Sequence, residues 1–340
     1  MQGLSTQALP EAGFEQWETG PYLKGKSFLD NGFPEQAMSI WMTAAQERHA
    51  ACQNGIGWMY QHGVGIEADL QRALSWYLKA AEQGHPKAMF NTALCYDEGW
   101  GTAQEDDASA AVWYERAAAA GYPDAYLNLG LLYLYGYGVD QDLPKANQLF
   151  EQAARLGNSD AAYNLGRSCY LGRGCVEDEE AASRWYRLAI EDGHVWASYL
   201  QSLLYFDGIN GSPPDHDRAL PLLYSAANIL PEAKNYLANL YEHGDIIEQD
   251  MERAFQLYLS AAEDGLGDAM FNVAALFTQG KGIEQDFGSA AYWFERAWDN
   301  GDAEAAPHLA FLYSSGGPNL PADVEKGAYW KKIAESEGVE

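Results

Sequence analysis

The chain repeats a short phrase at an almost constant interval, and this period constrains its fold more than any other feature of its 340 residues. The phrase is clearest from Ala125 to Tyr133, just before the loop Gly136-Tyr137-Gly138. Its first position recurs at Cys52, Ala88, Ala125, Ala161, Ala197, Ala233, Ala269 and Ala305. Six of the seven intervals are 36 residues long and one is 37. Such a period is typical of repeat proteins, in which each unit packs only on its neighbours.

Each repeat predicts two helices joined by a tight turn. Small and apolar residues recur three and four positions apart, as at Ala125, Leu129 and Leu132, which is the spacing of one face of a helix. We name this helix A. A Gly-x-Gly loop follows it, where glycine can adopt the positive φ that ends a helix. Four residues after the second glycine, an acid is placed to cap the following helix B; these acids are Asp69, Glu105, Asp142, Asp178 and Asp286.

This pattern resembles the Sel-one-like repeat, a relative of the tetratricopeptide repeat, over roughly residues 50 to 338. The resemblance implies an all-α fold, a right-handed α-α solenoid superhelix of about nine helix-turn-helix repeats. We expect residues 1–13 to be an N-terminal segment that could be disordered. Residues 14–49 should form a tetratricopeptide-like capping unit, and residues 50–340 should form eight Sel-one-like repeats.

The charge of the chain limits its partners. Lys and Arg number 21 against 49 Asp and Glu, so the formal net charge is -28. This charge repels phosphate backbones and anionic lipid headgroups, and we expect no nucleic acid partner. No apolar run approaches about 18 residues, so we expect no membrane insertion. The first residues show no export signal. The expected location is therefore cytoplasmic, with a periplasmic one open if such a signal had been removed.

The resemblance also implies a candidate binding groove, because helix A lines the concave face in tetratricopeptide-like arrays. Its outward positions in the third to fifth repeats are Leu127, Leu131, Leu134, Tyr135, Tyr163, Arg167, Tyr170, Trp196, Tyr199, Leu203 and Phe206, with the acids Asp124, Asp160 and Asp207. An apolar centre with an acidic surround favours a partner protein that has basic and hydrophobic contact residues. The alternative is that these side chains only pack against the next repeat.

The fifth repeat departs from the pattern. Residues 209–217 replace the Gly-x-Gly loop, Pro221 lies inside the predicted helix B, and Pro231 takes the place of the helix-ending glycine. Because proline cannot donate a backbone hydrogen bond, this helix B should be kinked or start late. The loop then either changes the local curvature or touches a ligand.

No catalytic or cofactor motif occurs in the chain. The seven histidines mostly occupy equivalent positions in separate repeats, where they cannot converge on one metal ion. We therefore predict no catalytic residue, no metal site and no cofactor. Cys169 and Cys175 flank one loop, but both occupy core positions, which favours buried thiols over a disulfide or a metal site.

These features together favour a scaffold or adaptor that binds a partner protein or peptide in its groove. Proteins with Sel-one-like repeats often have such roles, and some bacterial ones are immunity proteins that neutralise a secreted toxin enzyme. That inhibitor role is the alternative hypothesis, and the acidic charge would suit a basic toxin. An enzyme is disfavoured, because no separate segment remains for a catalytic domain.

Overall fold

The computed structural model describes residues 16–339, and in this range the chain is helical from end to end. The predicted segment 1–13 and the start of the capping unit lie outside the described residues. The helices of residues 16–192 are α1 Gly20–Asp30, α2 Pro34–Gln46, α3 Ala50–His62, α4 Leu70–Ala81, α5 Pro86–Asp97, α6 Asp107–Ala119, α7 Pro123–Tyr135, α8 Leu143–Arg155, α9 Ser159–Leu171 and α10 Glu179–Glu191. Those of residues 193–339 are α11 Val195–Asp207, α12 His216–Ala227, α13 Pro231–His243, α14 Met251–Glu263, α15 Gly267–Gln279, α16 Phe287–Asp299, α17 Ala305–Ser315 and α18 Val324–Glu337.

The chain divides between Asp192 and Gly193 into two compact units, the first containing α1–α10 and the second α11–α18. Within each unit every helix packs against the next one along the chain. In the first unit α3 also contacts α5, so that A helices of adjacent repeats meet. This order of contacts is that of an all-α solenoid, the fold class that the period predicts.

Every helix B from α4 onward begins at an aspartate whose carboxylate accepts a hydrogen bond from the backbone N–H three residues later. Four of the five predicted caps are therefore confirmed. Glu105 is wrong, because the cap of α6 is its neighbour Asp106, which accepts from the Ser109 N–H at 3.0 Å. The second repeat has the 37-residue interval, and its extra residue moves the cap by one position.

Histidines cap several A helices, a role that sequence reasoning missed. His49 and His85 accept the backbone N–H three residues later through Nδ1, at 3.3 and 3.1 Å. His194 caps α11 in the same way at 3.1 Å. In the fourth repeat Asn158 takes this position and accepts the Ala161 N–H through Oδ1 at 2.8 Å. The recurrence of these histidines is thus explained by local backbone hydrogen bonding.

The core lies between the helices of each pair, where paired alanines are packed against one large ring from helix B. These rings are at most 1% exposed; they are Tyr77, Tyr114, Phe150, Tyr186, Tyr258 and Phe294. A glycine on helix A allows the ring to approach closely. A Cβ on Gly130 would lie 2.6 Å from Cε1 of Phe150, so no larger residue fits there without a shift.

The fifth repeat forms a regular helix pair in spite of its prolines. Residues 209–211 form a single 3₁₀ turn, and α12 begins directly after its cap Asp215. Of the two predicted alternatives, a kinked helix B or a late start, the late start is wrong, because α12 begins directly after Asp215; Pro221 lies inside the helix. Pro231 does not end α12, as the sequence suggested; it is the first residue of α13, where its missing N–H costs nothing.

Candidate protein-binding site

Aromatic side chains cluster on the exposed side of α7 and α9 in the first unit. Tyr135 is 54% exposed at the end of α7, and Tyr137 in the following loop is 55% exposed. Their rings stack with centroids 5.5 Å apart. Tyr170 on α9 is 40% exposed. Sequence reasoning missed Tyr137, although its position between the two glycines of the turn marks it as a loop side chain.

Tyr163 connects the α7 and α9 parts of this cluster. Burial is the main cause that raises the pKa of the Tyr163 hydroxyl. The Arg167 charge lowers this pKa, and the nearby Tyr135 raises it. The Arg167 guanidinium lies 5.7 Å from the centre of the Tyr163 ring, within the range of a cation–π contact. Two adjacent repeats therefore bring their aromatic residues to one place. We call Tyr135, Tyr137, Tyr163, Arg167 and Tyr170 the aromatic surface.

The predicted leucines and acids of the first unit also lie on α7 and α9. Leu127, Leu131 and Leu134 are half-buried, so each keeps part of its side chain accessible. Asp124 and Asp160 are exposed at the start of these helices. The Asp124 carboxylate accepts a hydrogen bond from Asn158 Nδ2 at 3.2 Å, which holds one acid beside the next repeat.

A buried hydroxyl beneath the aromatic surface differs from its counterparts. In three other repeats the buried tyrosine of helix B donates to an acid or amide at the end of helix A: Tyr77 to Gln61 at 2.6 Å, Tyr114 to Asp97 at 2.8 Å and Tyr258 to Glu242 at 2.9 Å. In the fourth repeat Tyr170 takes the place of that acceptor. The Tyr186 hydroxyl consequently has no hydrogen-bond partner among residues 16–339.

The second unit carries the rest of the predicted site on α11. Trp196 is 38% exposed, and its ring meets that of Tyr199 edge to face at 6.2 Å. Leu203 is half-buried and Asp207 is exposed. Burial raises the pKa of the Tyr199 hydroxyl, and Glu232 adds to the effect.

Phe206 does not belong to an accessible face. It is 6% exposed, and its ring lies 5.5 Å from that of Tyr236 and 5.8 Å from that of His216. The helix turns this position toward the core of the fifth repeat, so we leave Phe206 out of the binding surface. Phe206 occupies the same helical position as Leu134 and Tyr170, and the sequence does not show that His216 and Tyr236 cover it.

The cysteines and the candidate metal ligands can be examined in the described part of the chain. Residues 16–339 bring together no three His, Cys, Asp or Glu side chains that could hold a metal ion. Cys169 is buried as predicted, whereas Cys175 is exposed, so its assignment to the core was wrong. It lies at the loop surface, where its Sγ is 3.3 Å from the Ser168 carbonyl oxygen. In the same range, no helix has the length and apolarity that crossing a bilayer requires.

The repeated helix pairs place the chain in the class of α-helical solenoid proteins. Comparison with known families identifies the class further. The model of the Sel1 repeat matches residues 50–85, 86–122, 123–158, 159–194, 197–228, 231–266, 267–302 and 303–338. The chain belongs to the Sel1 repeat family.

Two solved structures resemble the chain over most of its length. A protective antigen of uropathogenic Escherichia coli strains, which displays the SLR fold, is 28% identical with a TM-score of 0.81. The match covers 88% of this chain and 64% of that one. A Sel1 repeat protein from Oxalobacter formigenes is 27% identical with a TM-score of 0.70, covering 91% and 92% of the two chains.

A curated relative shares a shorter stretch. Chitin synthase regulatory factor 3 of Schizosaccharomyces pombe is 36% identical over 78 residues, which is 23% of this chain and 8% of that protein. The chain thus matches only a small part of this longer relative. Sel1 repeat proteins serve as scaffolds for interactions between proteins.

Proposed function

We propose that the chain is an adaptor that holds a hydrophobic and basic segment of a partner protein on the aromatic surface. The observation that carries this proposal is the meeting of exposed rings from two adjacent repeats around Tyr163. Rigid aromatic side chains and arginine are the residues in which binding energy concentrates at protein interfaces. Tyr135 and Tyr137 are more than half exposed, so most of their ring surface is available to a partner.

Charge supports the basic character of the partner. Asp124 and Asp160 are exposed on α7 and α9, the helices that carry the aromatic surface, and the whole chain carries a net charge of -28. This field attracts a cationic segment and speeds its approach. On α11, Trp196 and Tyr199 provide a second set of rings with Asp207 on the same helix. We assign them the same role in the second unit.

A peptide-display experiment tests the proposal. A random peptide library is selected on the wild-type protein, and the affinities of the selected peptides are then compared with those for a variant with Tyr135→Ala, Tyr163→Ala and Tyr170→Ala. We expect sequences that combine aromatic or aliphatic residues with Lys or Arg. Since a hot-spot residue contributes about 2 kcal/mol or more, the triple variant should bind at least about 30-fold more weakly.

A matched control removes exposed rings elsewhere. Tyr292 on α16 and Tyr329 on α18 are 53% and 60% exposed, and replacing both with alanine should leave the affinity unchanged. Circular dichroism verifies that both variants are folded. Equal affinity of the wild type and the triple variant would refute the proposed surface.

The acidic charge also favours a second candidate, an inhibitor of a basic enzyme. The two functions differ in what happens to the partner. If a partner identified through its peptide sequence is an enzyme, its turnover is measured with an equimolar amount of the chain. Loss of turnover identifies an inhibitor, and unchanged turnover identifies an adaptor.

A further inference from the structure

A cavity of about 340 Å³ lies between α8, α9 and α10, apart from the aromatic surface. Its walls include Asn147 and Glu151 of α8, Leu165 and Cys169 of α9, and Trp185 of α10. None of the side chains around it belongs to the aromatic surface. The proposal below therefore does not depend on the proposed function.

The cavity exists because Cys169 replaces an aromatic ring. In each of the eight repeats the equivalent residue is fixed by one hydrogen bond: its carbonyl accepts the backbone N–H of the aspartate that caps helix B, at 2.7 to 3.0 Å. Cys169 accepts from Asp178 in this way at 2.9 Å. The other seven repeats have a ring at this position: Tyr60, Tyr96, Tyr133, Tyr205, Tyr241, Phe277 and Tyr313. A thiol fills much less volume than a ring, so space is left in the fourth repeat.

The fourth repeat also lacks the Lys or Arg side chain that lies over this ring in other repeats. In five repeats the third residue after the helix B cap is Lys or Arg and lies over the ring, which is a cation–π contact. These pairs, with their distances, are Arg72 and Tyr60 at 5.6 Å, Lys145 and Tyr133 at 4.0 Å, Arg218 and Tyr205 at 5.7 Å, Arg253 and Tyr241 at 4.8 Å, and Lys326 and Tyr313 at 4.0 Å. The fourth repeat has Ala181 instead. The fourth repeat therefore has neither the aromatic ring nor the cation.

The eighth repeat shows which polar group a ring in this position meets. The Tyr313 hydroxyl donates to Glu295 Oε1 at 2.8 Å, and Lys326 Nζ donates to the same oxygen at 2.7 Å. Glu295 lies nine residues after the cap of the preceding helix B, and Glu151 occupies the same place in α8. Glu151 is thus the carboxylate that a hydroxylated ring would reach. It is paired with Arg155 of its own helix at 2.5 Å.

Asn147 is a polar residue of the cavity wall. It is 9% exposed, and its Nδ2 donates to the Arg173 carbonyl at 2.7 Å. Its Oδ1 has no hydrogen-bond partner among the described residues, but it is buried, so a ligand in the cavity does not reach it. Most other repeats place apolar residues at this position, as with Ala111 and Ala291, while the fourth has Ser183. Glu151 is therefore the acceptor that the cavity offers.

We propose that this cavity binds a phenol ring, which enters where Cys169 leaves the place of a tyrosine open and donates its hydroxyl to Glu151. Leu165 and Trp185 provide the apolar contacts for the ring. The phenol is either a small free molecule or the side chain of a tyrosine in a partner protein. Both sources share this chemistry, and the experiment below separates them.

Isothermal titration calorimetry with para-cresol, in a reducing buffer, tests the site. A ligand of this size should bind the wild-type chain with a Kd on the order of 0.1 to 1 mM. The variant Cys169→Tyr places a ring of the chain itself in the cavity and should weaken binding of para-cresol by at least about tenfold. Cys169→Phe is a second variant that fills the cavity, since Phe277 occupies the equivalent position in the seventh repeat. It replaces Cys169→Tyr in the experiment if that variant fails to fold.

Controls separate the polar and the steric parts of the site. Cys169→Ala leaves the cavity open and should retain binding. Glu151→Ala removes the acceptor and should weaken binding of para-cresol. Saturable binding that both filling variants abolish supports the proposal. Absence of saturable heat with the wild type, or equal affinity in a folded filling variant, overturns it.

The source of the ring is tested with the tripeptide Gly-Tyr-Gly beside para-cresol. Binding of both with the same dependence on Cys169 supports a tyrosine side chain of a partner. Binding of para-cresol alone supports a small free phenol. If neither binds, the site is refuted, whatever the peptide-display experiment shows for the aromatic surface.

Discussion

The buried residue His85 should make the free energy of unfolding of the first unit depend on pH. Its ring caps α5 and is only 6% exposed, with Trp17 meeting it edge to face at 5.2 Å. The pKa of this imidazole is lowered from its ordinary 6.5 to about 4, mainly by burial and also by the charges of Lys87 and His49. Protonation also destroys the cap, because Nδ1 must remain unprotonated to accept the Ala88 N–H.

The direction of the effect follows from proton linkage. Because the pKa in the folded state lies below that in the unfolded state, the unfolded chain binds more protons between pH 6.5 and pH 4. The stabilisation is present in full above pH 6.5 and is lost as the pH falls toward 4. The difference in pKa corresponds to about 3 kcal/mol in the free energy of unfolding. Below pH 4 both states are protonated and this contribution stays constant.

The substitution His85→Asn isolates this contribution. Asparagine caps the equivalent helix in the fourth repeat, where Asn158 accepts the Ala161 N–H at 2.8 Å, so the variant keeps a cap but does not titrate. Urea unfolding followed by circular dichroism is measured at pH 7, 5.5 and 4 for both proteins. We expect the wild type to lose about 3 kcal/mol more than the variant over this range.

The matched control is His62→Asn, at an exposed histidine that ends α3. This variant should keep the pH dependence of the wild type. Acid titration of the many carboxylates affects all three proteins alike and cancels in the comparison. If the wild type and His85→Asn lose equal free energy between pH 7 and pH 4, the explanation from the buried cap is wrong.

Two further predictions concern the fold. Asp106→Ala should lower the urea midpoint while Glu105→Ala leaves it unchanged, and equal effects of the two would contradict the assignment of the α6 cap. Gly130→Ala should destabilise the chain by about 1 to 2 kcal/mol, because the added Cβ lies 2.6 Å from Phe150 and the strain exceeds the gain in helix propensity. Gly267→Ala is its control, since the nearest atom to its Cβ is 3.5 Å away, and a loss as large as that of Gly130→Ala would count against the steric explanation.

Much of the fold could be predicted because repeats carry their information in local sequence. The spacing of Ala125, Leu129 and Leu132 defines helix A, the glycines define the turn, and the aspartates define the start of helix B. Each feature depends on the backbone of a few neighbouring residues. The prediction of Glu105 as a cap failed for the same reason, because one additional residue in a turn moves a local feature without changing the period.

The candidate site could be predicted only in part. Tyr135 and Tyr170 are exposed, but Phe206 is buried and Tyr137 lies in a loop that the helical register does not describe. Cys169 appeared in the sequence only as a small residue in a core position. Only the tertiary structure shows that a cavity lies where the other seven repeats have an aromatic ring.

The sequence by itself determined the all-α repeat, its 36-residue period and the acidic surface, since these depend on periodicity and composition. The tertiary structure alone decided which rings face outward, that His85 is a buried cap, and that α8 offers Glu151 to an empty position. The physical reason is that exposure is a property of neighbouring repeats together. A side chain in one repeat is covered or left open by residues about 36 positions away, and a local pattern contains no measure of that contact.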